Sequence, residues 1–247
     1  MTAPALSTQA LVAGYERDLP IVRGIDFAIN TGELVVVLGP NGAGKSTLVK
    51  AISGLVSIHS GTVRLGDRDV TVVPAHEKVR QGLAFVPQTE NIFTTLSIHE
   101  NLLVAANILP KEARSRRIAD LYRMFPDLAA RPSLKAGQLS GGQRQMLAVA
   151  RALIVAPSVL ILDEPSAGLS PKIATEVFRT LKAINQTGVT ILLVEQNVKA
   201  ALAIAHRGVI LVDGKLRHEG PAATLAGDPV VAELYLGAHR PAPVVSA

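Results

Sequence analysis

The sequence predicts an α/β fold built on a wound, mostly parallel sheet. Hydrophobic residues make up 48% of the chain and charged residues 18%, which is the balance of a folded globular protein. Short continuous apolar runs, such as Leu34–Leu38 and residues 159–162, are typical of parallel strands buried on both faces. Segments with helical periodicity alternate with these runs, as a wound α/β core requires.

The first predicted strands lead into a glycine-rich turn. The turn is followed by a helix over residues 45–53, so that strand, loop and helix form one unit. Further strands are short apolar runs bounded by turn or helical segments. The predicted strands span residues 10–15, 24–29, 34–38, 61–65, 83–86, 159–162, 189–194 and 209–212.

Helical periodicity dominates between residues 88 and 139. Helices over residues 98–109 and 112–124 are interrupted by Pro110 and Pro126, which predicts an inserted helical lobe. Further helices are expected over residues 142–154, from Pro171 and from Asn197. We expect one domain over residues 8–240, with a core from residues 8–87 and 158–240, a helical lobe from residues 88–157, and a tail over residues 241–247.

Composition excludes several classes of function. The net charge of +5 and the pI near 9.7 are compatible with nucleic acid, an anionic membrane surface or a nucleotide as partner. Aromatic residues make up 3% and tryptophan is absent, which argues against a base-stacking nucleic-acid surface. The absence of cysteine excludes disulfides and thiol catalysis.

The chain is expected to stay in the compartment where it is made. Its apolar runs are far shorter than the roughly 20 residues that span a bilayer. Residues 1–9 lack the basic start and apolar centre of a signal peptide.

The strongest motif lies between a predicted strand and a predicted helix, and it fits the pattern G-x-x-x-x-G-K-[ST]. Its glycines let backbone N–H groups surround phosphate oxygens, and the helix N-terminus adds a favourable dipole. Lys45 is expected to reach the β- and γ-phosphates and Ser46 to bind Mg²⁺. The alternative, a chance glycine-rich turn, lacks this context. The predicted nucleotide-binding residues are Gly39, Pro40, Asn41, Gly42, Ala43, Gly44, Lys45, Ser46 and Thr47.

A pair of carboxylates follows the apolar run at residues 159–162. Carboxyl ends of parallel strands meet at the crevice where such sheets bind ligands, so Asp163 suits Mg²⁺ coordination. Glu164 is placed to polarise a water that attacks the γ-phosphate, as a general base. An ordinary strand end is the alternative, which the phosphate-binding motif disfavours.

A second phosphate-binding segment is expected at the start of a helix, where residues 139–143 read Leu-Ser-Gly-Gly-Gln. A serine hydroxyl and backbone N–H groups at a helix N-terminus suit a phosphate. A serine N-cap with a flexible glycine pair is the alternative. Together with the first motif, these residues resemble the signature of ABC ATPases, in which the phosphate belongs to the nucleotide on the opposite subunit. The residues concerned are Ser140, Gly141, Gly142 and Gln143.

The resemblance implies a P-loop core with an antiparallel β subdomain near the N-terminus, and a site for ATP and Mg²⁺. Gln88 resembles the glutamine that meets Mg²⁺ and the attacking water in this family. Tyr15 lies where the family stacks an aromatic ring on adenine, and a half-buried strand tyrosine is the alternative. Residues 94–102 resemble the surface beside a permease helix, and a plain amphipathic helix start is the alternative.

Two positions depart from the family pattern. Gln196 stands where the family usually has a catalytic histidine, and Ser170 where many members have an aspartate. Gln196 can donate a hydrogen bond to a γ-phosphate, but it cannot carry charge or relay a proton. These departures leave open whether the chain's own site hydrolyses ATP at full rate.

The departures resemble one subfamily, the smaller of the two ATPases in branched-chain amino acid importers. The similar segments are residues 194–197, 166–171 and 234–237. The resemblance implies a second ATPase subunit (a different chain or a second copy), two membrane permeases, an external solute-binding protein, no nucleic acid, and a cytoplasmic location on the inner face of the cell membrane. Alternatives are an importer of urea or short amides, a soluble ABC ATPase without transport, and a regulatory protein that hydrolyses little ATP.

Overall fold

Ten strands and nine α-helices occur in the computed structural model, which describes residues 3–228 and residue 231. The strands are β1 (Leu6–Gly14), β2 (Val22–Ile29), β3 (Leu34–Leu38), β4 (Ser57–Leu65), β5 (Arg68–Asp69), β6 (Leu83–Val86), β7 (Val159–Asp163), β8 (Thr190–Val194), β9 (Arg207–Val212) and β10 (Lys215–Pro221). The helices are α1 (Lys45–Ile52), α2 (Ala75–Arg80), α3 (Ile98–Ala106), α4 (Lys111–Met124), α5 (Pro126–Ala129), α6 (Gly141–Leu153), α7 (Pro171–Gln186), α8 (Val198–Leu202) and α9 (Ala222–Leu225).

The strands form two sheets. One is antiparallel, in the order β2-β1-β4-β5, and lies near the N-terminus of the chain. The other has six strands in the order β10-β9-β3-β8-β7-β6, and only β10 runs antiparallel to its neighbour. This arrangement confirms the predicted fold class.

Alternate residues of the central strand β3 enter two different hydrophobic clusters. Leu34, Val36 and Leu38 belong to one cluster, and Val35 and Val37 to the other. Successive strand side chains point to opposite faces, so both faces of this sheet are covered. That double burial explains why β3 is a continuous apolar run.

The carboxyl ends of β3, β8 and β7 lie side by side because these strands are parallel neighbours. The segments that follow them therefore start at one edge of the sheet. This edge is where an open parallel sheet binds ligands.

Four helices, α3 to α6, lie between β6 and β7 in the sequence and pack on one another. As predicted, prolines separate them: Pro110 precedes α4, and Pro126 is the first residue of α5. The division of the chain into a core and a helical lobe stays a prediction, and its end at residue 240 and the tail over residues 241–247 lie outside the described residues. Residues 234–237 lie there too.

Strands with a half-exposed face were the ones that sequence patterns missed. β10 alternates between exposed and intermediate residues, and β5 has two exposed residues. β1 begins at Leu6, four positions before the predicted start, because its first half alternates with polar residues. Short helices α2, α5 and α9 were missed too, since about one turn of helix leaves little periodicity. No helix among residues 3–228 is both long and apolar enough for a membrane span.

Candidate functional site

The loop between β3 and α1 has the backbone of a phosphate cradle. Gly44, the residue before α1, has a φ of 99°, which strongly favours glycine. A Cβ on Gly39 would lie 2.1 Å from the Leu211 carbonyl oxygen, so only glycine fits this approach to β9. The loop therefore aims the N-terminus of α1 at the edge of the sheet.

Lys45, the first residue of α1, is 4% exposed. Its Nζ donates to the carbonyl oxygens of Gly39 (2.8 Å) and Pro40 (3.1 Å). Burial lowers the pKa of the Lys45 ammonium, while Glu164 and Asp163 raise it. No carboxylate forms an ion pair with Lys45 in the part of the chain that the structure describes. A buried cation that donates its hydrogen bonds to carbonyl oxygens is suited to bind a phosphate anion.

Ser46 and Asp163 meet across the site. The Ser46 hydroxyl donates to Asp163 Oδ1 at 2.9 Å. Asp163 is 2% exposed, and burial raises the pKa of its carboxyl group, while the Ser46 bond lowers it. A hydroxyl beside a buried carboxylate is a hard oxygen pair of the kind that Mg²⁺ prefers, so these residues fit the ion.

Glu164 is the centre of a hydrogen-bonded cluster. It follows β7 with a φ of 48°, in the left-handed region, and its N–H donates to Val194 O at 2.9 Å. Its Oε2 accepts from Gln196 Nε2 at 2.7 Å and from Gln88 Nε2 at 3.3 Å. The structure thus brings the predicted residues Gln88, Glu164 and Gln196 together. It also places Lys45 where the charges of Glu164 and Asp163 act on it.

Gln196 donates to Glu164 where a histidine would offer a titratable ring. Both donors to Oε2 are neutral amides, so neither can take a proton from the carboxyl group. Sequence reasoning missed Glu195, which is 1% exposed and precedes Gln196. A charged residue directly after the apolar run of β8 was the available signal.

Tyr15 lies just after β1 and is 63% exposed, so the alternative of a half-buried strand tyrosine is wrong. The loop that follows Tyr15 reaches the phosphate cradle, because Ile21 packs against Gly44. Sequence reasoning missed Ile21, whose surroundings carry no motif. The exposed ring of Tyr15 is accessible for a base to stack on.

The second predicted phosphate-binding segment begins α6. The Ser140 hydroxyl accepts from Gln143 N at 3.3 Å, and Gln143 Oε1 accepts from Ser140 N at 3.1 Å, which completes a capping box. A hydroxyl that accepts the capping bond still has its own proton to donate. The two glycines permit close packing: a Cβ on Gly142 would lie 2.4 Å from Ile173 Cγ2.

The two predicted phosphate-binding segments begin helices that pack against different elements of the chain. The main neighbours of α6 are α3, α5, α7 and β6, whereas those of α1 are β1, β4, β7 and β8. The structure therefore gives Ser140 and Lys45 different surroundings. Gly141 and Gly142 contact the segment after Glu164 instead, through Leu169 and Ile173.

A groove of about 370 Å³ lies beside the helices, and its lining includes Phe85, Pro87, Ala105 and Ile108. The Arg151 guanidinium also lines it and lies 4.6 Å from the centroid of the Phe93 ring. The groove adjoins Gln88, which follows Pro87, so it is connected to the Glu164 cluster by a short segment of chain.

Residues 93–97, which follow the groove residues Glu90 and Asn91 in the sequence, are held by hydrogen bonds to α3. Asn101 is fully buried, and its side chain accepts from Phe93 N and donates to Phe93 O, both at 2.9 Å. Ser97 caps α3 by accepting from Glu100 N at 3.1 Å. The predicted contact segment, residues 94–102, is thus a capped helix start next to an apolar groove.

Residues 22–167 match the ABC transporter family. The chain is 45% identical over 233 residues to a protein of Archaeoglobus fulgidus described as a probable branched-chain amino acid transport ATP-binding protein, covering 94% of this chain and 98% of that protein. It is 36% identical to the lipopolysaccharide export system ATP-binding protein of Acidithiobacillus ferridurans, covering 94% and 96% respectively.

Solved structures give the same result for the fold. An ATP-binding cassette of an ABC transporter in its ADP conformation superposes with a TM-score of 0.85 at 26% identity, covering 96% of this chain and 99% of that one. A dimeric post-hydrolysis cassette bound to ADP and Pi superposes with a TM-score of 0.76 at 25% identity, covering 88% and 98%.

Proposed function

The chain belongs to the ABC transporter ATPases, and from that premise we propose that it powers a membrane importer of branched-chain amino acids. We further propose that it binds MgATP between its own residues Gly39 to Thr47 and residues Ser140 to Gln143 of a second ATPase subunit. The observation that carries the proposal is the convergence of Lys45, the Ser46 and Asp163 pair, and Glu164 at one sheet edge.

Catalysis in this proposal is positioning and charge stabilisation. The backbone N–H groups of the cradle and the Lys45 ammonium bind the β- and γ-phosphates. Glu164 Oε2, oriented by the two glutamines, accepts a proton from the attacking water. Ser46, Asp163 and Gln88 would hold Mg²⁺, which neutralises phosphate charge when bound. Tyr15 stacks on the adenine.

A second subunit is needed because Ser140 and the phosphate cradle have no main neighbour in common within one chain. The free proton of the Ser140 hydroxyl and the N-terminus of α6 suit a γ-phosphate presented by another subunit. The dimeric form of a related cassette with ADP and Pi supports this arrangement.

The groove that includes Phe85, Pro87, Ala105 and Ile108 is the proposed contact with a permease. Its apolar lining suits a short amphipathic helix of a membrane subunit. Gln88 follows Pro87 directly, so a displacement of the permease helix can reach Glu164 through one residue. The chain would then lie on the inner face of the cell membrane, held there by the permeases.

The solute is proposed from similarity alone. The relative at 45% identity is described for branched-chain amino acid transport, while one at 36% belongs to lipopolysaccharide export. We place import first because its relative is the more similar. Uptake of labelled leucine by cells that lack the gene for this chain distinguishes the two: import predicts a loss of uptake that the restored gene reverses, and export predicts normal uptake.

Two substitutions test the site. Lys45→Ala should lose ATP binding, because the buried cation is removed from the cradle. Glu164→Gln should bind ATP, release little phosphate and accumulate a closed dimer, because an amide accepts the same hydrogen bonds but no proton. Binding is measured by calorimetry, phosphate release by a coupled assay, and dimers by gel filtration with MgATP.

The matched control is Lys172→Ala, which removes an exposed lysine from α7 and should behave as the wild type. Normal ATP turnover by both Lys45→Ala and Glu164→Gln would show that these residues do not have the roles proposed.

A further inference from the structure

We propose that Glu195 is a positioning residue for ATP hydrolysis, which fixes Glu164 and Gln196 relative to each other by holding Ser166. This inference rests on the proposed function, because it assigns to Glu164 the proton-accepting role. The Glu195 carboxylate binds Ser166 and the backbone N–H of Gln196, and its charge also acts on Lys45, so its effect on Glu164 passes through its neighbours.

The Glu195 carboxylate uses both oxygens to bind the segment after β7. Its Oε1 accepts from Ser166 N at 3.0 Å, and its Oε2 accepts from Ser166 Oγ at 2.8 Å. The same Oε2 accepts from Gln196 N at 3.2 Å. Three donors therefore hold one side chain in a single orientation.

These bonds close a ring around the catalytic contact. From Glu164 the chain runs through Pro165 to Ser166, which is bound to Glu195, which is joined by a peptide bond to Gln196. Gln196 Nε2 returns to Glu164 Oε2 at 2.7 Å. A break at the Ser166 link would open this ring and remove one of the two anchors that fix Glu164 relative to Gln196.

Glu164 needs such support because its backbone lies in the left-handed region, with a φ of 48°. A non-glycine residue keeps this conformation only when surrounding contacts over-determine it. Val194 O accepts from Glu164 N on one side, and Glu195 holds Ser166 on the other. Both anchors come from the end of β8, so the strand that carries Gln196 also sets the direction of Glu164.

The burial of Glu195 indicates that its carboxylate has a role beyond packing. The residue is 1% exposed and forms no ion pair with any residue in the described ranges. Burial raises the pKa of its carboxyl group, and the Ser166 bonds lower it. Burying a carboxylate without a cation is costly, so an apolar side chain would serve packing alone better.

The test compares turnover with ATP affinity in the full chain. Glu195→Gln keeps the shape, but its NH₂ group must face either Ser166 N or Gln196 N, which are both donors, so the arrangement of three bonds is lost. Because a displacement of about 1 Å at a reacting group can cost about 100-fold in rate, kcat should fall about 10- to 100-fold. The Kd for ATP should stay within about twofold, since the Glu195 carboxylate binds Ser166 and the backbone N–H of Gln196.

Ser166→Ala is the second arm and removes a single hydroxyl. It should lower kcat several-fold at unchanged ATP affinity, and the double variant should be no slower than Glu195→Gln, because both changes break the same link. Glu112→Gln, at an exposed glutamate of α4, is the matched control and should leave kcat unchanged.

Every outcome of these experiments either supports or overturns the role proposed for Glu195. Unchanged kcat in folded Glu195→Gln, a parallel loss of kcat and ATP affinity, or additive effects in the double variant would overturn the inference. If Glu195→Gln does not fold, unchanged kcat in Ser166→Ala overturns it. Glu164→Gln serves as reference: full turnover there refutes the role proposed for Glu164, whereas inactive Glu164→Gln with active Glu195→Gln refutes only the role of Glu195.

Discussion

At the scale of single residues, the two side chains that donate hydrogen bonds to Glu164 are neutral. Gln196 and Gln88 donate to its Oε2 at 2.7 and 3.3 Å, and neither amide changes charge at any ordinary pH. A histidine at position 196 would instead place a titratable ring beside a carboxylate. The pH dependence of turnover therefore reports which kind of partner Glu164 has.

Gln196→His should introduce a pH dependence that the wild type lacks. The imidazolium would assist phosphate binding, and Glu164 would hold the pKa of the ring above its ordinary value of about 6.5. The gain in kcat is present at low pH and lost as pH rises through that raised pKa. Phosphate release measured from pH 6 to pH 8.5 (about one point per half unit) checks this.

Gln196→Asn is the control for this prediction, because it keeps an amide and should give a flat profile. A wild-type profile that already changes in the same range, or a histidine variant without one, would contradict the expected role of Gln196.

At the scale of elements, helix α2 is attached to the helix of the phosphate cradle by a buried lysine. Lys78 of α2 is fully buried, and its Nζ donates to Ile52 O, in the last residue of α1, at 2.8 Å. Burial lowers the pKa of Lys78 to about 8, while Asp69 acts in the opposite direction. The ammonium stabilises the carbonyl end of α1 at a cost in desolvation.

This cost predicts how stability depends on pH. The folded pKa of about 8 lies below the ordinary lysine pKa of 10.5, so the unfolded chain binds more protons between these values and the free energy of unfolding rises with pH there. Lys78→Met removes this contribution. From pH 7.5 to pH 9.5, the free energy of unfolding of Lys78→Met should rise by about 1 to 2 kcal/mol less than that of the wild type. Urea unfolding at the two pH values measures both.

The wild type and Lys78→Met share all their other titrating groups. The difference between their pH dependences of unfolding therefore reports Lys78. Lys172→Met, at an exposed lysine, should follow the wild type. Equal pH dependence in Lys78→Met and the wild type would mean that Lys78 keeps an ordinary pKa.

The start of α6 packs too closely on α7 for a side chain. A Cβ on Gly142 would lie 2.4 Å from Ile173 Cγ2, so Gly142→Ala should lower the free energy of unfolding by about 1 to 3 kcal/mol through overpacking. Ile173→Ala in the same chain should relieve the clash, so the loss in the double variant should be less than the sum of the single losses. Urea unfolding measures all three.

Gly227→Ala is the control, because a Cβ there meets no atom within 4 Å. A Gly142→Ala protein as stable as the wild type would indicate that α6 and α7 separate at no cost.

At the scale of the whole molecule, the chain has one complete phosphate cradle and one signature segment that face different neighbours. We therefore expect this chain to complete its site with a second ATPase subunit. Since Gln196 replaces a histidine, we expect the working partner to be a different ATPase that supplies a histidine at the matching position.

The rate of phosphate release tests whether the partner is a different ATPase. At equal total subunit concentration, a mixture of this chain with the second ATPase from the same transporter should release phosphate faster than this chain alone. Equal rates would count against a mixed dimer and favour two copies of this chain.

Fold prediction succeeded where strands are buried on both faces. β3 and β6 have the predicted bounds, because an apolar run without alternation identifies a central parallel strand. β5 and β10 were missed because exposed edge strands are too polar for this signal. Among site residues, the cradle and the pair of carboxylates after β7 were predicted, and Glu195 was not.

The sequence by itself determined the glycine-rich turn between β3 and α1, since the positive φ angles of Gly39, Gly42 and Gly44 are local requirements of the backbone. Only the tertiary structure decided that Gln88, Glu164 and Gln196 share one carboxylate oxygen, although they are 76 and 32 residues apart. The physical reason is strand order. Parallel pairing of β3, β8, β7 and β6 places distant carboxyl ends side by side, and no local pattern records which strands become neighbours.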